Sequence, residues 1–510
     1  MAFNLKKETF SLLNPIKNIE SNTVIDCRST ELESVPDSVL CVANTINLTG
    51  NEILSGKIKY YAKLFFICAY KTEDETKKCE CAVEFSGEIV TGENTSDFIP
   101  DISLVVTNTE VKIDDRRLIF TANVCAKCDL FLKESVSLLS GGEEIFTKNI
   151  PTNIYRSCGI KNFSTPIFDD FELAYPVKEV LLHTENAIIS SVTPKIDGII
   201  VEGDAVVSLF LLQNDENSDI VKETRCFPFR IEFDENNITP TMCANSFLQV
   251  KPAIVDVTNY EDTAKCTVKI ELPLLIKTEL FEVKEYSITA DAFSKTNDLS
   301  LNKGEVTMRY PLTNFTVSKK FCERVSLIEP FEVGSKVLGA LVNKVTKNNV
   351  KIENKTLTAD LTIFATAFTK SNDKGIFTFN YNFNLSIVEP INIDNSNNLE
   401  ASISVCVPEI YTRAVTLTEI DSYGLVKIFV QITDKKTETV VFDATVTGEK
   451  QPTTHALNVF IAFSGEDLWS LSKRLNLSPE EVEKQNPELT FPLTGEEQII
   501  IFNRKVKEYS

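Results

Sequence analysis

Apolar and polar residues alternate with a period of two over most of this chain. In DAVVSLFLL, Ala205, Val207, Leu209 and Leu211 fall on one face of a strand, and Val206, Phe210 and Leu212 on the other. A strand that is apolar on both faces is buried on both. A polar turn from Gln213 to Ser218 leads into CFPFRIEF, where Phe227, Phe229, Ile231 and Phe233 share one face and Arg230 and Glu232 the other. Further on, KTELFEVKEYSITADAFS alternates until its phase slips at Glu285, which predicts a β-bulge there.

The same pattern occurs three times. Three segments each combine an acidic lead-in, an alternating strand and a charged turn. They are SVPDSVLCVANTINLTGNEILSGKIKYYAKLFFICAYKTEDE, AYPVKEVLLHTENAIISSVTPKIDGIIVEGDAVVSLFLLQNDEN and EVGSKVLGALVNKVTKNNVKIENKTLTADLTIFATAFTKSNDK. Val39-Leu40, Val180-Leu181 and Val337-Leu338 correspond, as do Phe65, Phe210 and Phe364. IPTNIYRSCGIKNFSTPIF and YPLTNFTVSKKFCERVSLI precede the second and third segments. Regular strand spacing with few helical runs predicts a mainly β chain of three tandem β-sandwich-like repeats. The boundaries expected are an N-terminal extension at 1–30 and repeats at 31–150, 151–310 and 311–447.

The pattern changes near the C-terminus. GEKQPTTHALN, residues 448–458, reads as a linker, and 459–503 as a small α+β module of βααβ order. VFIAF is its first strand and QIIIF its last. Between them Gly465 permits a turn, Asp467 stands at a helix N-cap, and Leu468, Leu471 and Leu475 line one helix face. Ser478-Pro479-Glu480-Glu481 starts a second helix with a capping box and Pro at N1, and Asn486-Pro487 stops it.

Charge narrows the partners. The 52 basic and 73 acidic residues leave a net charge of −21, unlike the basic surface that nucleic acid or an anionic membrane requires. No apolar run reaches membrane-spanning length, and MAFNLKKETFSLLNPIKNIE lacks a signal-peptide core, so no membrane insertion and a cytoplasmic chain are expected. The 13 cysteines are odd in number and thinly spread, which predicts reduced thiols.

Enzyme chemistry finds no constellation here, so no catalytic residue, metal site or cofactor is expected. The two histidines, His183 and His455, sit in a strand and in the linker, with no triad to join. Cys125 and Cys128 form a CxxC and Cys79 and Cys81 a CxC, but a zinc site needs two suitably spaced pairs. Buried or incidental thiols are the simpler reading. The acidic turns KTEDETKK and LQNDENSD lack EF-hand spacing and read as solvated loops. Trp469, the sole tryptophan, reads as core rather than as a sugar-stacking platform.

ELAYPVKEVL, IDGIIVEGDAVVSLFLL and ELFEVKEYSITADAFS resemble the SPOCS domain, a repeat of endospore-coat and spore-morphogenesis proteins of Firmicutes. FSGEDLWSLSKRLNLSPEEVEKQNPEL followed by FPLTGEEQIII resembles a LysM domain, with Glu466 where aspartate is usual and Asp467 in place of a threonine. The LysM resemblance implies a shallow groove for N-acetylglucosamine glycans, formed by Gly465, Glu466, Asp467 and Leu468 on one side and Asn486, Pro487, Glu488 and Leu489 on the other. From Ser464 to Glu497 there are eight acidic and three basic residues, so a basic protein ligand competes with a glycan for that groove. Together the two resemblances imply a non-enzymatic structural adaptor of the spore coat, working on the mother-cell side of the forespore surface. Its LysM-like end would engage an ATPase-like coat-basement protein, and open sheet edges would let it self-associate. The alternative is a peptidoglycan tether at the cortex or wall.

Overall fold

The computed structural model describes residues 5–73, 75–92, 98–142, 144–214, 219–260, 265–372, 375–393, 398–450 and 457–502. It is mainly β. The first unit holds β1 (Leu5–Arg28), β2 (Ser38–Leu54), β3 (Lys57–Lys71), β4 (Thr76–Val90), β5 (Phe98–Asp114) and β6 (Arg117–Gly142). Strands β2-β3-β4 form one antiparallel sheet; in the other, β6 pairs with β1 on one edge and β5 on the opposite edge. Their apolar faces share a core in which Phe66 of β3 stacks on Phe120 of β6, ring centroids 4.9 Å apart. The alternation dictates this, because each strand has one face that must leave water.

The same order of pairing occurs twice more. The second unit holds β7 (Ile145–Leu173), β8 (Val177–Lys195), β9 (Gly198–Gln213), β10 (Ile220–Asp234), β11 (Cys243–Val250), β12 (Ile254–Asn259) and β13 (Cys266–Ser294). Here β13 pairs with β7 on one edge and with both β11 and β12 on the other; Pro252, which has no N–H to give a ladder, lies between those two. The third unit holds β14 (Asn297–Ser326), β15 (Lys336–Glu353), β16 (Thr356–Ser371), β17 (Gly375–Pro390), β18 (Leu399–Ala414) and β19 (Glu419–Glu449). Its sheets run β15-β16-β17 and β14-β19-β18. The first hairpin of each meander turns on positive φ, at Gly56, Asp197 and Asn354-Lys355, as tight hairpins require.

Among the described residues, two apolar seams are shared by all three units, and Cys406 and Phe429 of the third unit also pack on the core of the second. At one, Leu40 and Cys41 of β2, Leu181 and Leu182 of β8 and Leu341 of β15 meet around Ala69, Phe210 and Phe368. The rings of Phe210 and Phe368 stack at 4.2 Å. The other seam lies where the long strands outrun their third partner. Among the described residues, beyond Leu132, Phe281 and Asp434 only β1·β6, β7·β13 and β14·β19 remain as two-stranded ribbons. A lone ribbon is marginal in water. These three form a stalk by burying Phe10, Leu138, Ile288, Val306, Met308 and Val440 against one another around a small apolar void. With 30 residues at about 3.3 Å each, β14 alone spans roughly 100 Å.

The structure departs from sequence expectation at several points. Residues 5–28, read as an extension outside the repeats, are β1 and pair along their length with β6. Likewise β7 and β14 begin before positions 151 and 311. The register shifts of β13 fall between Leu280 and Phe281 and between Thr289 and Asp291, on either side of Glu285. Position for position, the side chains at the shared centre are Ala69, Phe210 and Phe368; Phe65 and Phe364 lie outside it. Cys27 of β1 and Cys81 of β4 are disulfide-bonded, an exception to reduced thiols throughout, while Cys125 and Cys128 are free and buried. Among the described residues, no helix is long and apolar enough to cross a membrane. His455 and most of the 448–458 linker lie outside the described residues.

The C-terminal module comprises β20 (Leu457–Ile461), α1 (Leu468–Leu475), α2 (Pro479–Gln485) and β21 (Gln498–Phe502), with β20 and β21 antiparallel. Its core is Ala462, Leu471, Val482, Leu493, Ile499 and Ile501. The module sits at the stalk tip, where β14 begins and β19 ends: Lys450 N–H donates to the Thr296 carbonyl at 2.8 Å.

Candidate functional site

Both helices start as the capping residues dictate. Asp467 accepts the Ser470 N–H at 2.8 Å, and Ser478 and Glu481 form a reciprocal capping box. Gly465, at φ 82°, turns the chain ahead of α1; its N–H donates to the Leu493 carbonyl at 2.8 Å, and Leu493 N–H returns to Glu466 at 2.9 Å. That pairing holds the Gly465–Leu468 turn against the connection between α2 and β21.

Most of the expected groove residues are committed within the protein. Glu466 is buried, and its carboxylate receives both Nε and Nη2 of Arg474 at 2.8 Å. The guanidinium holds this carboxyl below its usual range, although burial opposes it. Asp467 is drawn down to about 2 by its bonds from Ser470 and then by Lys148 of β7, whose Nζ lies 2.9 Å away. Asn486 works as a peptide surrogate: Oδ1 accepts Ile500 N–H at 2.8 Å, and Nδ2 donates to the Ile500 and Val482 carbonyls. Leu468 and Leu489 pack on the module core. Only Gly465, Pro487 and Glu488 stand exposed.

Trp469 is not part of the module core. Its ring meets Phe293 of β13 edge-on at 5.1 Å, and Nε1 donates to Asp291 at 2.9 Å. Burial opposes ionisation of Asp291, yet Lys303, Lys473 and Trp469 together hold its carboxyl down to about 2. Lys295 pairs with Glu481 and Lys450 with Asn476 across the same junction. A helical position alone could not say whether Trp469 faced its own core or a neighbour.

The module also carries a feature that the sequence reading missed. Leu457, Val459, Ile461 and Phe463 project outward from β20 and its extension, between 52% and 70% exposed, and Ile500 of β21 lies opposite Val459. Phe460, Ala462, Ile499 and Ile501 take the inner face. The signal was present: LNVFIAF is apolar at both parities, more than a one-sided strand needs. Arg474 stacks on Phe463 at 4.3 Å. With Glu466, Asp467 and Glu481 paired and Glu497 bound by the N–H groups of Thr494 to Glu496, the exposed carboxylates of the module are Glu480, Glu483, Glu488 and Glu496. No known protein family, curated protein or solved structure matches this chain.

Proposed function

We propose that this chain is a non-enzymatic structural adaptor of endospore-coat assembly. On this reading the three units are SPOCS-like β-sandwiches, and the C-terminal module is a LysM-like head that docks an ATPase-like coat-basement protein. The observation that carries it is the outward row of Leu457, Val459, Ile461, Phe463 and Ile500. A contiguous apolar strip on a small polar-rimmed module is the anatomy of a protein contact. It favours a protein partner over a glycan, because an acetamido sugar is fixed by converging polar groups. Of the four polar side chains in the expected groove, Glu466, Asp467 and Asn486 are already occupied, which leaves Glu488. Self-association belongs to the same reading: β4, β10 and β17 end their sheets, and the stretches of these edges not covered by β8, β15 and β2 of a neighbouring unit would serve strand addition.

The test is capture of coat proteins from sporulating-cell lysate by the full chain, beside calorimetric titration with chitotetraose. Specific retention of a coat-basement ATPase with no heat from the sugar supports the adaptor. Micromolar sugar binding without retention of a coat protein would transfer the case to a peptidoglycan tether.

A further inference from the structure

The module and the stalk touch differently from any two of the units. The units meet through apolar clusters with buried members from all three. The module core is built from module residues alone. What holds it to the stalk is a set of polar bridges: Lys148 to Asp467 at 2.9 Å, Lys473 to Asp291 at 2.8 Å, Trp469 to Asp291, Lys295 to Glu481 and Lys450 to Asn476. One ring contact, Trp469 on Phe293, accompanies them. The paired side chains at this junction are mostly one-third to one-half exposed, where single ion pairs contribute little and salt screens them. A junction of this kind opens far more readily than an apolar seam.

We infer that the module is a latched head, held closed on the stalk by charge and released by ionic competition, and that opening adds the Trp469 face of α1 and the Asp467 turn to the surface a partner can use. The inference rests on the module being the partner-binding end, since access to that end is what the latch controls. Lys148, Lys295 and Lys450 on the stalk and Asp291 beneath Trp469 are its working parts. A lysine- or arginine-bearing segment of the partner would compete for Asp467 and Glu481, so binding and opening would be coupled.

Trp469, the only tryptophan, reports the latch directly in the full chain. Acrylamide quenching of its fluorescence is followed as salt rises, for the wild type, for Lys148→Gln with Lys295→Gln, and for Lys112→Gln with Lys351→Gln. The last variant has the same net charge with the changes placed away from the junction. The wild type and the control are expected to show a several-fold rise in quenching constant with salt. The latch variant should be quenched at low salt as strongly as the wild type at high salt. Hydrogen exchange at Leu471 and Val482 should stay slow in all three, which separates opening from unfolding. A salt-independent wild type, a latch variant that behaves like its control, or lost protection at Leu471 and Val482 alongside quenching would each overturn the inference. Because no partner is present, this readout stands or falls separately from the proposed function.

Discussion

The shared centre of the three units makes a strong demand on one side chain. Phe368 is fully buried, stacked on Phe210 and surrounded by residues from β2, β8 and β15. Truncating a buried phenylalanine costs about 3–5 kcal/mol in lost transfer energy and residual cavity. Of that, roughly 0.5–1.5 kcal/mol is the ring pair itself. Phe364 lies four residues earlier on the same face of β16 but is 36% exposed beneath Lys344. Its truncation should cost no more than about 1 kcal/mol, nearer to an ordinary surface change. The assay is native-state hydrogen exchange, which reads each strand by itself. For Phe368→Ala, amides of Leu40 and Leu181 should lose protection together with those of β16, because the void opens onto all three units. Phe364→Ala should leave Leu40 and Leu181 untouched. Loss confined to β15, β16 and β17 in the Phe368 variant would refute the idea that this centre couples the units.

Other outcomes follow from the junction and the module. The Asp291 carboxyl is held down to about 2, well below the roughly 3.9 of an unfolded aspartate, so its stabilising share is complete above about pH 4 and lost as pH falls toward 2. Acid titration of Trp469 fluorescence should therefore move between those limits, and a midpoint above pH 5 would contradict the assignment. Asn486→Ala removes the amide that ties α2 to β21 and leaves the Ile500 N–H unpaired by a side chain. It should destabilise the module by about 1–3 kcal/mol. Limited proteolysis would register the change as faster cleavage within 457–502, with the units unaffected. Trp469→Phe keeps an aromatic ring, smaller than the indole, but loses the bond to Asp291. It should leave the melting of the module unchanged and loosen only its docking, seen as faster exchange at Phe293.

How much of this was legible in the sequence depended on how local the determinant was. The two faces of DAVVSLFLL, the shared face of CFPFRIEF and both helix caps were readable, because strand parity and capping involve neighbours within a few residues. β1 was not. Its mixed polar alternation resembles a lead-in, and the partner that makes it a strand, β6, lies about 100 residues away. The slip from Phe368 to Phe364 arose because both sit on the same face of β16, and parity cannot say which point along a strand meets another unit. At the candidate site, residue types and turns were legible, but Asp467 is spoken for by Lys148 from a distant strand. Nothing near Asp467 in the chain signals that partner.

The proposed partner contact runs through the outward row of β20. Val459 and Ile461 are 57% and 70% exposed, so Val459→Glu with Ile461→Glu should change module stability by no more than about 1 kcal/mol. The decisive measurement is capture of the proposed coat-basement partner by the full chain carrying these two substitutions, set against the wild type at equal protein and salt. A partner contact through this row predicts that capture falls at least tenfold while the far-ultraviolet spectrum and Trp469 emission remain those of the wild type. Undiminished capture by the substituted chain would contradict it.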